Sequence, residues 1–132
     1  MQKLILFGCL LSAGSLLMAQ DDAPLRDAMK KIGPATGALG KKIAAKDATA
    51  AADAEKLAMW FHEVHGFWEA RKAPDAVEFA KTAAEQFGEV GKLAAAGSWD
   101  EAAATQKKIG ASCMGCHTAH REKAPDGSWK TK

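Results

Sequence analysis

Residues 50–68, Ala50-Ala51-Ala52-Asp53-Ala54-Glu55-Lys56-Leu57-Ala58-Met59-Trp60-Phe61-His62-Glu63-Val64-His65-Gly66-Phe67-Trp68, carry the pattern that decides the fold. Ala50, Ala54, Leu57, Phe61, Val64 and Trp68 recur at spacings of four and three residues, the repeat of one helix face. The expected helix runs from about Ala48 to Arg71.

The same repeat appears on either side of it. A first helix is predicted over about Pro24 to Ala45, with Leu25, Met29, Ile32, Thr36, Leu39 and Ile43 inward. Gly33-Pro34 should interrupt and bend it, because proline removes a helical hydrogen bond. A third helix opens at Pro74, a residue suited to a first turn. It runs to about Ala96, with Val77, Ala80, Ala84, Phe87, Gly91 and Ala94 inward, and Gly97 ends it. Ser98-Trp99-Asp100-Glu101 reads as a capping box and starts a fourth helix that ends near Glu122. Ala102, Gln106, Ile109, Cys113, Cys116 and His120 share one of its sides. Ala124-Pro125-Asp126-Gly127 is a stop and a turn. β-branched residues are sparse and Ala is abundant, so nothing reads as a strand.

Four helices of about twenty residues with short links predict an all-α fold, an antiparallel up-down-up-down four-helix bundle. Its inward stripes are rich in Ala and Gly. Such small side chains do not fill a bundle centre at ordinary packing density. Either the helices approach closely, or a large flat apolar group fills the gap.

The chain has 132 residues, enough for one domain. Residues 1–20 read as a secretory signal peptide: a basic start at Met1-Gln2-Lys3, an apolar stretch from Leu4 to Met18, then Ala19 and Gln20 at the cut. The apolar run is shorter than the roughly 20 residues of a membrane span, and a lipoprotein reading through Cys9 lacks an apolar stretch before it. Residues 21–132 are then the folded domain, exported to the periplasm and soluble there. Removal of residues 1–20 loses Lys3 as the only charge, which leaves 17 Lys and Arg against 16 Asp and Glu. So even a balance does not suggest nucleic acid.

Of three cysteines, Cys9 leaves with the leader, and Cys113 and Cys116 remain. Cys113-Met114-Gly115-Cys116-His117 is C-x-x-C-H, the attachment motif of c-type haem. Two thiols at i and i+3 lie on one helix face, so each can add to one haem vinyl group. The imidazole of His117 then ligates the iron. One covalent haem c is the expected cofactor, seated in the core near one end of the bundle. A redox C-x-x-C pair would want a βαβ context. A zinc site would need two more ligands, from among His62, His65 and His120, and no paired spacing supplies them. A plain disulfide has no use for His117.

The motif sits near the C-terminus, on the last helix. In that layout the chain resembles the class II cytochromes c, the cytochrome c′ family, whose members are four-helix bundles with C-x-x-C-H on the last helix. Residues 109–121 match the family's motif, including Arg121 four residues after the axial His. His120 departs from it, since Phe or Tyr is common there. Met29-Lys30-Lys31-Ile32-Gly33 resembles the segment that supplies a distal Met in the low-spin branch. Other members have five-coordinate iron. The resemblance implies Arg26 as a propionate partner, one residue closer to Met29 than the family pattern has it, and Arg121 as another.

Heights along the bundle can be compared. With antiparallel helices, Met29 and His117 both lie roughly 8 Å from the same end, at about 1.5 Å per residue. His65 is at a similar height, His62 a turn further in, and Met59 too deep. Met114 and His120 share the helix of His117. Met29 and His65 therefore compete for the distal position, with an open site as a third arrangement. Phe61, Phe67, Trp60, Trp68, Phe79 and Phe87 are candidates for the haem walls, Trp99 and Trp129 for covers at bundle ends, and Lys30 and Arg71 for further propionate contacts.

The expected function is one-electron transfer through His–Met ligated iron, with no enzymatic activity. Redox proteins are the expected partners. Small gases (NO, CO) replace them if the distal site is open, and a homodimer is a further candidate assembly. A zinc or disulfide module is the alternative without haem.

Overall fold

The computed structural model describes residues 21–132. The expected signal peptide lies outside the described residues. Four helices follow one another: α1 (Ala23–Ala44), α2 (Ala50–Ala70), α3 (Pro74–Ala95) and α4 (Trp99–His120). Links of three to five residues turn each helix back along the previous one. Lys46 and Lys72 adopt φ of 55° in the first two links, and Gly97 adopts φ of 74° in the third. This left-handed turn after a helix end satisfies carbonyls of the last turn, as where the amide of Asp47 donates to the Lys42 carbonyl.

Contacts at both ends fix the antiparallel arrangement. At one end His120 on α4 meets Asp75 on α3 at 2.8 Å, and Arg71 after α2 meets Asp22 before α1 at 2.6 Å. At the other end Lys42 of α1 pairs with Asp53 of α2. The result is an all-α bundle with one small addition. Among the described residues no helix is long and apolar enough to cross a membrane.

The core is made by the expected stripes. All six inward positions of α2 are buried, and α3 buries Ala80, Ala84, Phe87, Gly91 and Ala94 together with Ala76, Ala83 and Val90. α1 buries Ala28, Ile32, Leu39 and Ile43, with Leu25 and Met29 half-buried against them. Four expectations are corrected. Residues 121–131 are not merely a stop and a turn: β1 (Arg121–Lys123) and β2 (Trp129–Thr131) pair antiparallel as a hairpin. α4 accordingly ends at His120 rather than near Glu122. α1 runs through Gly33-Pro34 without interruption, its neighbouring turns held by packing of Ile32 and Leu39. Ser98 makes no side-chain cap bond, so the capping box is not formed. Asp100 and Glu101 in the first turn of α4 still complement the helix dipole.

The four seams differ. α2 and α3 share the most extensive contact and α1 and α4 the least. The α1–α4 seam is closed at its far end by Gln106, whose amide donates to the Thr36 carbonyl at 2.9 Å and lies against Gly40. At the other end, where the C-x-x-C-H segment lies, the seam opens.

Candidate functional site

The opening holds two adjoining cavities of about 550 Å³ and about 300 Å³. Met29 of α1, Cys116 and His117 of α4, and Arg121 line both. Cys113 lines the smaller, inner one, with Phe61, Val64 and Phe79 as apolar walls. Arg26, Lys30 and Trp68 line the larger, outer one. The last turns of α4 thus bring both thiols and the imidazole to one gap, and α1 presents a thioether across it.

The helix spacing explains this. Cys113 and Cys116 are one turn apart and both pack half-buried against the core. Ser112 beside them is buried and lines the inner cavity too. Between the cysteines, Gly115 lets α4 come close to α3: a Cβ there would stand 2.6 Å from the Phe79 ring. Met114, on the outer side of the same turn, is 63% exposed and takes no part.

The electrostatics separate this site from thiol chemistry. Burial raises the Cys113 thiol above its usual range. Burial, with the negative charge of Asp75 and the neighbouring Cys113, pushes Cys116 up to about 11. Both cysteines are free thiols. Reactive C-x-x-C pairs depress a thiol at a helix N-terminus, and these lie at a helix C-terminus, the wrong pole for a thiolate. Burial, aided by the Arg121 charge, lowers His117 below the usual histidine value. This favours the neutral imidazole, the form that keeps a lone pair for a metal. Among the described residues no group of three or more His, Cys, Asp or Glu side chains is arranged to hold a metal ion. One imidazole, one thioether and two thiols around an apolar gap match the donor set of a covalent haem.

The other expected residues divide. Arg26 and Arg121 both line the outer cavity, as does Lys30. Arg71 does not: it is committed to Asp22 and to Thr131 Oγ1 at 3.2 Å, and stacks on Phe67. His65 lines neither cavity; its Nδ1 faces Glu69 at 3.4 Å on the same helix. His62 and Met59 are exposed. Of the six aromatic candidates, Phe61, Phe79 and Trp68 are cavity walls. Phe87 stacks on Phe61 inside the core, Phe67 packs edge-on against Trp68, and Trp60 lies beneath Lys31. Trp99 packs at its bundle end. Trp129 is no simple end cover, because the hairpin brings it to the outer cavity.

Sequence reading missed the partners of His120 and the tail. His120 packs at a tilt against Trp68, ring centroids 4.8 Å apart and planes at 47°, while it holds Asp75. It thus supplies a flat ring and also a hydrogen bond. Asp22, Asp75, Trp129 and Thr131 carry no motif that would have singled them out. Comparison of the chain with family models, with curated proteins and with solved structures finds no match.

Proposed function

We propose that the protein is a periplasmic c-type cytochrome of the class II kind, carrying one covalent haem c and passing single electrons through His–Met ligated iron. The observation that carries this reading is that Met29 and His117 line the same two cavities from facing helices, while both thiols of the C-x-x-C-H motif stand at that gap. Residues 1–20 read as the export signal that delivers the chain to the compartment where such haem is attached.

Each residue has a defined task. Cys113 and Cys116 would hold the haem by each adding S–H across a vinyl C=C, a C–S thioether forming and the hydrogen going to the other vinyl carbon, with no oxidant consumed. His117 would offer a ring nitrogen and Met29 its sulfur to the iron. Arg26 and Arg121 would meet the propionate carboxylates. Phe61, Phe79, Val64 and Ile32 exclude water from the inner side. The haem supplies the one-electron couple, and a thioether ligand raises its potential by favouring the ferrous form. Acid–base or nucleophilic machinery is not part of this reading, and the partners are redox proteins.

The second reading, a five-coordinate gas-binding protein, differs only at Met29. Visible spectra of the purified oxidised and reduced protein separate the two. The proposal expects a low-spin wild type, a high-spin Met29→Ala variant that binds CO faster, and a His65→Ala variant with an unchanged spectrum. A wild type that is already high-spin and insensitive to Met29→Ala moves the gas-binding reading ahead. A spectrum that changes with His65→Ala alone identifies a bis-imidazole iron.

A further inference from the structure

The C-terminal hairpin is not needed to complete the four-helix bundle, yet it is held firmly against it. Its last strand reaches back to the start of α1. Asp22 accepts from the Thr131 hydroxyl at 2.7 Å and from the Thr131 amide at 3.2 Å. Arg71 closes the triangle, 2.6 Å from Asp22 and donating to Thr131 Oγ1 at 3.2 Å. The side chains of Arg71 and Asp22 are only 12% and 16% exposed, so this charge pair is shielded from solvent and unlike a loose surface bridge. The Lys132 amide adds a bond to the His120 carbonyl at 3.1 Å, and its ammonium one to the Thr118 carbonyl at 2.8 Å.

What this clasp holds in place is Trp129. Trp129 is 44% exposed and lines the outer cavity. The Arg121 guanidinium lies 3.8 Å from its ring centroid and the Lys123 ammonium 5.2 Å. Stacking of a planar guanidinium on indole fixes its orientation. Arg121 itself lines both cavities. The hairpin therefore brings a large flat side chain and an oriented cation to the mouth of the gap.

We propose that this hairpin is the outer wall of the haem site: Trp129 shields the exposed haem edge and positions Arg121, and the Asp22–Arg71–Thr131 clasp holds that wall shut. The inference rests on the cofactor reading above. Trp129 and Asp22 act as positioning residues, and they set how readily small ligands and water reach the iron. Shielding from solvent and a fixed cation beside the cofactor both tune its potential.

The test uses the full-length haem protein with Trp129→Ala, Trp129→Phe and Asp22→Ala. Far-UV circular dichroism establishes that each variant is folded, and a haem stain after denaturing electrophoresis that each is loaded. The readouts are the rate of imidazole binding to the oxidised protein, the reduction potential, and hydrogen exchange at the hairpin amides. Trp129→Ala and Asp22→Ala should speed imidazole binding several-fold and shift the potential, Trp129→Phe should restore most of the slow rate, and Asp22→Ala should speed exchange at Thr131. Loaded, folded variants with wild-type rates and potentials overturn the wall. A wild type without stain overturns the cofactor reading, and the wall with it.

Discussion

Two seams of the same bundle are built from the same kind of residues and have opposite outcomes. Between α2 and α3, small side chains let the backbones close. A Cβ on Gly91 would stand 3.3 Å from the Ala51 carbonyl oxygen, and Phe61 and Phe87 stack across the interface with centroids 5.5 Å apart. Between α1 and α4 the seam is closed at Gln106 and Thr36, and toward the motif Met29, Ile32 and Gly33 of α1 face Cys113, Cys116 and His117 of α4 across the inner cavity. The Ala-rich stripes thus close one seam tightly and leave cavities in the other. What decides between them is the large residues. α3 answers the aromatic and aliphatic side chains of α2 with Phe87 and Val90, whereas α4 opposes α1 with thiols and an imidazole.

The contrast can be broken most severely at the motif. Cys113→Ala with Cys116→Ala should abolish covalent haem and leave the α1–α4 seam without its filling. Near-UV circular dichroism should then collapse while much helix persists in the far-UV, the signature of lost packing. A cooperative apoprotein with native-like near-UV signal would mean that haem is no part of the core. Next comes the closed seam. Phe87 is fully buried, and Phe87→Ala should cost about 3–5 kcal/mol in denaturant unfolding. The haem spectrum should stay unchanged, because Phe87 lines neither cavity. A changed spectrum would show the two seams to be coupled.

The smallest effect is expected at the clasp, through pH. Burial pushes the Asp22 carboxyl up, but hydrogen bonds from Thr131 and Arg71 and the Arg71 charge outweigh it and hold it below the usual range. A carboxylate with a depressed folded pKa contributes stability that is present above its unfolded pKa, about 3.9. That contribution is lost as pH falls through the folded value. Hairpin amide protection should therefore be flat from neutral pH down to the ordinary carboxylate range and fall only below it. Protection lost already near pH 6 would mean that the Asp22 carboxylate is not the holding contact.

The helices were legible because burial follows a 3.6-residue period. Every inward residue named for α2 is buried, and each helix end lies within a few residues of a Gly, Pro or Asp signal. The hairpin was not legible. Arg121–Lys123 and Trp129–Thr131 are three residues each, too short for a period-two pattern to show, and their pairing is stabilised by Asp22, 109 residues away in the chain. At the site, the motif pointed to Cys113, Cys116 and His117, and height along the bundle pointed to Met29, which lines the same two cavities. The same height argument left His65 in contention, since it specifies depth and not the direction a side chain takes around the helix. His65 turns toward Glu69. Arg71 looked available because its partner is made by the tail.

The central claim is that the open seam is filled by a haem bonded to Cys113 and Cys116. It is tested most directly by denaturing the purified exported protein, separating it by electrophoresis, staining for haem peroxidase activity, and mapping the stained species by peptide mass. The stain should remain with the polypeptide and the haem mass should fall on the peptide containing residues 113–117. Haem that is lost on denaturation, or a stain-free protein whose Cys113 and Cys116 are joined as a disulfide, would contradict it.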